Sequence, residues 1–280
     1  MFGIGSAGHK FDLSLDVSVS LSICYLTKLH ESLTISFNQT MNELDNLLSA
    51  MKINDEDSVV SIRLKHLRRV QGDSCQPDYE RLQSDKLASM LIPSEINVDE
   101  GGQQALKCTG NENCLYNSAS LVLCGDEHLS TSLRILTACE LFSTGQLYTD
   151  HPALETVIKN PEFMSRNLND ARAMIFPTAE ISSENETNVR NVALSTCTDR
   201  AWSGLIHIMA LATVLQRPIS YVYPEVNMGI RPLFNNLFYP VSSNEVNEGH
   251  IEIMYIMWSR DGNFDTRDGV CLNQIILYHS

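Results

Sequence analysis

The chain has 280 residues, of which 43% are hydrophobic and 19% charged, and its formal net charge is −14. This length can bury one large core, as a single domain or as a domain of about 150 to 200 residues with an extension. The negative charge argues against attraction of the whole molecule to nucleic acid or to an anionic membrane, and it suits a partner with a basic face. The eight cysteines stand singly, without CxxC pairs. We therefore expect reduced thiols, no metal site and no other cofactor.

The N-terminal residues lack the unbroken apolar stretch behind a basic start that a secretory signal needs. Residues 11–23 instead alternate apolar and polar side chains, which predicts a strand. The longest apolar run, Leu205–Leu215, is about half the roughly 20 residues needed to cross a bilayer. We therefore expect a soluble intracellular protein, cytoplasmic or nuclear, that does not contact a membrane.

A helix is predicted over Met41–Met51, because four apolar residues recur there at helical spacing. These residues are Leu44, Leu47, Leu48 and Met51. The basic residues between positions 63 and 69 either contact an acidic partner or phosphate, or form a solvated helix face. Pro, Ser, Asn and paired Gly at residues 93–104 indicate a boundary. The pattern thus separates an N-terminal extension of undefined fold, residues 1–104, from a main domain, residues 105–280.

The main domain combines helices and strands in a definite order. From Ala105 onward the pattern predicts a loop, then a buried helix that starts at Cys114 and a second helix over Leu129–Phe142. A polar insertion around Glu180–Asn188 precedes a helix that is apolar nearly all round, Ala201–Gln216. The β-rich segments that follow are Ile219–Tyr223, Leu233–Phe238, Ile251–Trp258 and Gln274–Tyr278. Helices first and strands last, without βαβ alternation, predict an α+β fold.

Cys114 is the candidate nucleophile. It follows a polar turn and opens an apolar helix, so unpaired backbone N–H groups and the positive end of the helix dipole would favour its thiolate. The same N–H groups could hold the oxyanion of an attacked carbonyl. The alternative for any single cysteine is a small buried hydrophobic residue.

The segment Gly110-Asn111-Glu112-Asn113-Cys114-Leu115-Tyr116 resembles the OTU family of papain-like cysteine peptidases, which contains deubiquitinases and whose motif is Asp-Gly-Asn-Cys-Leu-Phe. Asn111 and Glu112 depart from that motif. The resemblance covers roughly residues 105–280. Within the family the chain is most similar to vertnin-like divergent OTU proteins. The general OTU resemblance continues through Leu121–Glu127, Leu133–Ala138, Trp202–Gly204 and Ile208–Ile219. The vertnin-like resemblance is carried by Leu215–Ile219, Val222–Pro224, Ile230–Asn235 and Ile256–Trp258.

The resemblance implies an OTU-like α+β domain, with helices packed on a small mixed sheet and Cys114 as nucleophile. It also implies that the partner is ubiquitin or a ubiquitin-like protein. The family places a catalytic histidine on the last strand, where this chain has Gln274, and glutamine cannot shuttle a proton near neutral pH. His279 lies five residues further on, about 16 Å along a strand and on its opposite face. Asn111 could orient a histidine as the third member of the site.

Other residues at the site are expected to be structural. His207, on an apolar helix, is expected to be a hydrogen-bonded core residue, and His250 an exposed loop residue. Trp202 and Trp258 are expected to pack against the core. The main functional hypothesis is therefore a deubiquitinase-related pseudoenzyme that has impaired or lost activity and acts by binding ubiquitin or another protein. The alternatives are an active deubiquitinase, a nuclear, transcription-related protein of the vertnin-like type, and a fragment of a longer protein compatible with each of these.

Overall fold

The structure is a computed structural model. It describes residues 34, 38–75, 77–94, 96, 103–111, 113–149, 175–177, 185–198, 201–223, 231–241, 252–259 and 273–279. The strand predicted at 11–23, His250 and Glu112 lie outside these residues.

Contacts divide the chain into two compact units, Met1–Glu43 and Leu44–Ser280. The second unit includes residues 44–104, which the sequence pattern assigned to an N-terminal extension. The boundary at residue 104 stays a prediction. Among the described residues, no helix combines the length and the apolar character needed to cross a bilayer.

The described residues form helices that are joined by connections of different lengths. In chain order they are α1 (38–52), α2 (Glu56–Asp73), α3 (Lys86–Ser89), α4 (Cys114–Cys124), α5 (Ser130–Thr144), α6 (Gln146–Thr149), α7 (Asn185–Thr196), α8 (Leu205–Leu215) and α9 (Arg231–Phe234). The predicted helices at 41–51, 114 onward, 129–142 and 201–216 are thus confirmed, with boundaries shifted by a few residues.

The first two helices pack on α5. Three residues of the predicted apolar stripe of α1, Leu44, Leu47 and Met51, are buried, and they share a cluster with Ile135 and Cys139 of α5. The N-terminus of α2 is capped by the carboxylate of Asp55, which accepts the N–H of Ser58 at 3.1 Å. Burial of one face of each helix explains why α2 and residues 44–52 of α1 belong to the larger unit.

The basic cluster predicted at 63–69 divides between the two faces of α2. Lys65, Arg68 and Arg69 are exposed, which fits the solvated-face alternative. His66 is buried, and its Nδ1 lies 3.1 Å from Oγ of Ser132. Arg63 reaches inward and its Nη2 lies 2.6 Å from the buried Glu140 carboxylate. The Arg63–Glu140 pair therefore gives one arginine of the basic cluster a structural role in the core.

Within the described residues, five strands form one mixed sheet in the order β1-β5-β4-β2-β3. Neighbouring strands are antiparallel except β2 and β4, which are parallel. The strands are β1 (Gln103–Lys107), β2 (Ile219–Val222), β3 (Asn236–Phe238), β4 (Met254–Ser259) and β5 (Asn273–His279). Each of the four predicted β-rich segments overlaps one of these strands, so the α+β class is confirmed.

Two elements differ from the sequence prediction. The loop predicted after Ala105 is partly strand, because β1 pairs with β5 at the far end of the chain. A five-residue strand with only two apolar residues has little local signal, and the distant ladder determines its conformation. The second difference is in the polar insertion predicted at 180–188, because helix α7 begins there at Asn185. Two residues of this helix, Val189 and Val192, are buried.

The central core lies between α4, α5, α8 and the sheet. Every residue of α8 from Leu205 to Thr213 is buried, which confirms the prediction of a helix packed on several sides. α4 packs against β4 and β5. Cys114 is the first residue of this helix.

Candidate active site

Cys114 is the first residue of α4, as predicted, and only 5% of its surface is exposed. Asn113 occupies the N-cap position but its side chain makes no capping bond. The N–H of Cys114 donates to the backbone oxygen of Asn111 at 2.9 Å. The thiol therefore begins a helix, and its own amide is engaged in the turn that precedes it.

The side chain of Asn111 fixes this turn. Its Oδ1 accepts the N–H of Asn113 at 2.9 Å and the Nδ2–H of Asn117 at 3.0 Å. Asn117 also donates to the backbone oxygen of Thr109 at 3.0 Å. Asn side chains stabilise turns in this way by bonding to backbone two residues on. Asn111 thus has a structural role on the loop between β1 and α4.

Arg134 of α5 holds the residue before the cysteine from the other side. The guanidinium donates to Oδ1 of Asn113, and it is 2% exposed. It also donates to the backbone oxygens of Thr196 at 2.7 Å, Thr198 at 2.6 Å and Ala201 at 3.2 Å. A fork of five N–H donors suits this role, because one side chain can satisfy several oxygens.

His207 is a buried core residue, as the sequence predicted. Its Nδ1 accepts the N–H of Gly204 at 3.0 Å, so Nε2 carries the proton and donates to Oγ1 of Thr196 at 2.8 Å. Burial, with the nearby charge of Arg134, lowers the pKa of His207 to about 3. The imidazole is therefore neutral and bonded at both nitrogens, which are the features of a structural residue.

The two ends of β5 pair with opposite ends of β1. The last residue of β1, Lys107, pairs with Ile275, whereas His279 pairs with the first residue of β1. Because the chain leaves β1 after Lys107 and enters the loop to Cys114, the end of β5 that contains Gln274 lies beside this loop. His279 lies at the opposite end, about 16 Å from Gln274 along a strand. The register thus brings position 274, and not 279, to the Cys114 end of the sheet.

Comparison with known proteins places this architecture in a family. A family model described as "Vertnin, OTU domain" matches residues 105–259. The chain belongs to the vertnin OTU-domain family. Three vertnins that it matches come from Bos taurus, 27% identical over 184 residues, Homo sapiens, 28% over 184 residues, and Danio rerio, 28% over 178 residues. These matches cover 63 to 65% of this chain but only 25 to 26% of each vertnin, so the chain spans about a quarter of those proteins.

The membership confirms the predicted vertnin-like OTU fold. The region matched by the family model contains Asn111 and Cys114 and the helices that hold them, α4, α5, α7 and α8. It ends at residue 259, before β5, so Gln274 and His279 lie outside it. Their roles stay predictions that rest on the family resemblance and on the strand register.

Sequence reasoning missed Arg134 as a residue of the site. The available signal was a single arginine in a helix whose neighbouring positions are otherwise apolar or hydroxyl-bearing, since a charge there must find buried partners. Trp202, which we expect to pack against the core, is 39% exposed, so the residue is only partly covered. Trp202 directly follows Ala201, whose carbonyl oxygen accepts from Arg134. The side chain of Trp258 lies outside the described residues.

A group of atoms that could hold a metal ion lies at the other end of α4. The ligand atoms of Cys124, Asp126 and His128 are all within 4.8 Å of one another. The sequence prediction considered only CxxC pairs and missed this Cys-x-Asp-x-His spacing. The group is separate from Cys114, which begins the same helix.

Proposed function

We propose that this chain is an OTU-fold binding module that is related to deubiquitinating cysteine peptidases, has impaired or lost hydrolase activity, and binds ubiquitin or a ubiquitin-like protein. One observation carries the proposal, the backbone register of β5. The end of that strand beside Cys114 contains Gln274, where the family resemblance calls for a histidine. His279 sits at the far end of the same strand.

Without an imidazole from β5, the site has no group from that strand to transfer the proton of the Cys114 thiol. A cysteine hydrolase needs a group that takes the thiol proton and returns it to the leaving group. A glutamine amide does neither near neutral pH. His207 is a poor replacement, because its pKa is lowered to about 3 by burial and both of its nitrogens are bonded in the core.

The loop before Cys114 supports the same proposal. The two lone pairs of Asn111 Oδ1 are used by Asn113 and Asn117, so this oxygen is not offered to an imidazole. The N–H of Cys114 is bonded to the Asn111 backbone at 2.9 Å. An oxyanion would have to compete with that turn bond for the donor, which lowers the stabilisation that the helix start can give to a transition state.

The features that remain suit binding. Arg134 fixes both Asn113 and the backbone of Ala201, so the surface around the start of α4 is ordered before a partner arrives. Trp202, 39% exposed, adjoins this surface, and tryptophan is enriched at interfaces because it is amphipathic. The net charge of −14 favours a partner with a basic face.

The test uses ubiquitin that carries a thiol-reactive electrophile at its C-terminus, offered to the wild type, to Cys114→Ala and to Gln274→His. We expect slow or absent labelling of the wild type, none of Cys114→Ala, and faster labelling of Gln274→His, because that change supplies a base at the Cys114 end of β5. Background labelling is limited at two other thiols, since burial raises the pKa of Cys139 and Cys197 to about 12.

Binding is measured separately, by calorimetric titration of the wild type and Cys114→Ala with unmodified ubiquitin and ubiquitin-like proteins. Equal affinity of the two variants for one of these modifiers supports a binding module. Rapid turnover of a ubiquitin substrate by the wild type, abolished in Cys114→Ala, would show an active hydrolase instead. Absence of affinity for every modifier tested would remove the assignment of the partner.

Two alternatives have a specific observation in their favour. An active deubiquitinase is favoured by the position of Cys114 as the first residue of a helix, where the dipole stabilises a thiolate. A nuclear, transcription-related role is what the resemblance to vertnin-like proteins implies, and the chain belongs to the family described as "Vertnin, OTU domain". Cell fractionation of the tagged chain tests the nuclear alternative, and it fails if the protein is absent from nuclei.

A further inference from the structure

The turn between α4 and α5 gathers three different metal-binding groups. Sγ of Cys124, the last residue of α4, lies 3.6 Å from Nδ1 of His128 and 3.6 Å from Oδ1 of Asp126. The imidazole also hydrogen-bonds to that carboxylate. A thiolate, an imidazole and a carboxylate are the side-chain ligands that zinc takes in proteins.

The spacing of these atoms fits a tetrahedral ion. With zinc about 2.3 Å from sulfur and about 2.0 to 2.2 Å from nitrogen and oxygen, the ligand atoms of a tetrahedral site stand about 3.6 Å from sulfur. Both separations from Cys124 Sγ have this value. The Asp126 and His128 side chains lie closer to each other than a shared ion would place them, and because both are exposed, a small rotation separates them.

The backbone of the turn holds the three groups together. Gly125 has φ of 82°, a left-handed conformation that ends α4 and returns the chain sharply. The hydroxyl of Ser120 donates to the backbone oxygen of Asp126 at 2.6 Å and accepts the N–H of Leu129 at 3.0 Å. The N–H of His128 donates to the Asp126 carboxylate at 2.9 Å. Such a preformed turn lowers the entropy that binding an ion would cost.

A fourth residue supports the imidazole from another helix. Oδ2 of Asp73, the last residue of α2, lies 3.5 Å from Nε2 of His128. Histidines that bind a metal through one nitrogen commonly donate the other N–H to a carboxylate, which fixes the tautomer and raises the basicity of the ligand. Here Nδ1 faces Cys124 and Nε2 faces Asp73, which is the arrangement that such a ligand requires.

We propose that Cys124, Asp126 and His128 form a binding site for a thiophilic divalent cation, Zn²⁺, in which Asp73 orients the imidazole. Three protein ligands leave the fourth position to water or to a group from another molecule. The ion connects the end of α4 with the end of α2 through His128. This proposal does not depend on the function proposed for Cys114, which lies at the opposite end of α4.

The test is metal binding by the full chain after treatment with a chelator. We expect one equivalent of Zn²⁺ to bind, and Co²⁺ substitution to give the charge-transfer absorption of a cobalt–thiolate bond. Cys124→Ser and His128→Gln should lose the absorption. Asp73→Asn should keep it but weaken metal affinity by about 10- to 100-fold, as loss of a carboxylate behind a ligating histidine does.

Two cysteine variants serve as matched controls. Cys75, whose Sγ lies 3.7 Å from the backbone oxygen of Cys124, is the neighbouring thiol, and Cys114 lies at the opposite end of the same helix. Cys75→Ser and Cys114→Ala should both retain the cobalt–thiolate absorption. Its loss in either variant, its persistence in Cys124→Ser, or no binding by the wild type would overturn the proposal.

A second measurement separates loss of the site from loss of the fold. A cation that binds only the folded chain raises its melting temperature. We expect Zn²⁺ to raise the Tm of the wild type and to leave that of Cys124→Ser unchanged, while both melt cooperatively without metal. An equal rise in both proteins would place the ion elsewhere and overturn the proposal.

Discussion

The guanidinium of Arg134 donates a hydrogen bond to Oδ1 of Asn113, the residue that immediately precedes Cys114. Its other donors bind the backbone oxygens of Thr196, Thr198 and Ala201. One buried cation thus joins the start of α4 to the end of α7 and to the segment before α8. These four partners are neutral oxygens, so dipoles and not an opposite charge hold the guanidinium.

Replacing this cation should destabilise the fold. Arg134→Ala removes hydrogen bonds to a charged group, each worth about 1.5 to 3 kcal/mol, and leaves buried oxygens without a donor. We expect the free energy of unfolding to fall by at least about 3 kcal/mol, and Arg134→Lys to recover only part of it because an ammonium cannot reproduce the fork. Urea denaturation followed by circular dichroism measures both.

A surface arginine supplies the control for this experiment. Arg81 pairs with Asp78 at 2.8 Å, but its side chain is 85% exposed. Arg81→Ala should change the free energy of unfolding by no more than about 1 kcal/mol, the usual range for exposed ion pairs. Equal effects at Arg81 and Arg134 would show that the buried hydrogen bonds contribute nothing beyond those of a surface pair.

The parts of the fold that the sequence predicts are those with a strong local pattern. The helix that begins at Cys114 and the helix of Leu205–Leu215 are apolar over most of their length, so periodicity and burial agree. Strand β1 was not predicted from the sequence, because its conformation depends on pairing with β5, residues 273–279, more than 160 positions away. No local window contains that information.

The role of Gln274 at the candidate site stays a prediction. Cys114 could be assigned to the start of a helix and His207 to the core from the sequence, and the structure agrees. The role of Asn111 could not be assigned, because both acceptor sites of its side chain are filled by residues of its own loop. Arg134 was missed because its partners come from backbone oxygens, which leave no pattern in the sequence.

His207 predicts a dependence of stability on pH. Burial chiefly lowers the pKa of His207 from its ordinary value of 6.5 to about 3 in the folded chain. Below pH 6.5 the unfolded chain therefore binds a proton that the folded chain does not, so the stability present above that pH is lost as pH falls toward 3. One such group changes the free energy of unfolding by up to about 1.4 kcal/mol per pH unit.

The measurement is urea denaturation of the wild type and His207→Gln at intervals between pH 6.5 and pH 4, a window inside the range from about 6.5 to about 3 over which the stability changes. Gln keeps an N–H donor for Thr196 but does not titrate, so its profile should be flatter than that of the wild type over this window. Other titrating groups are common to both proteins and cancel in the comparison. Parallel profiles would mean that His207 does not couple folding to pH.

Arg63 and Glu140 should be coupled energetically. Their side chains are 2.6 Å apart, and that of Glu140 is 4% exposed and also accepts from Thr144 and Tyr148. Arg63→Gln leaves a buried carboxylate with fewer donors and should cost about 1 to 3 kcal/mol. Adding Glu140→Gln removes the charge that needed the arginine, so the double variant should be more stable than the sum of the two single changes predicts.

A double-mutant cycle on the free energy of unfolding checks this coupling. We expect an interaction energy of about 0.5 to 3 kcal/mol, the range for residues in contact. Arg63→Gln combined with a change at Arg81, whose partner is Asp78 and not Glu140, should be additive within about 0.5 kcal/mol. Additivity of the Arg63 and Glu140 changes would mean that the buried pair adds no net stability.

The contacts of α1 and α2 predict where the chain can be shortened. A chain of residues 38–280 keeps both helices, whereas a chain of residues 105–280 loses them and exposes the face of α5 that contains Ile135, Ala138 and Cys139. We expect the first to unfold cooperatively and the second to bind a hydrophobic dye and melt without a sharp transition. In the full chain, Leu47→Ala should cost about 2 to 5 kcal/mol, since Leu47 is fully buried. Ile53→Ala, at a position 76% exposed, is the matched control. Cooperative unfolding of residues 105–280 at the Tm of the longer chain would instead support the boundary predicted at residue 104 and make α1 and α2 dispensable to the core.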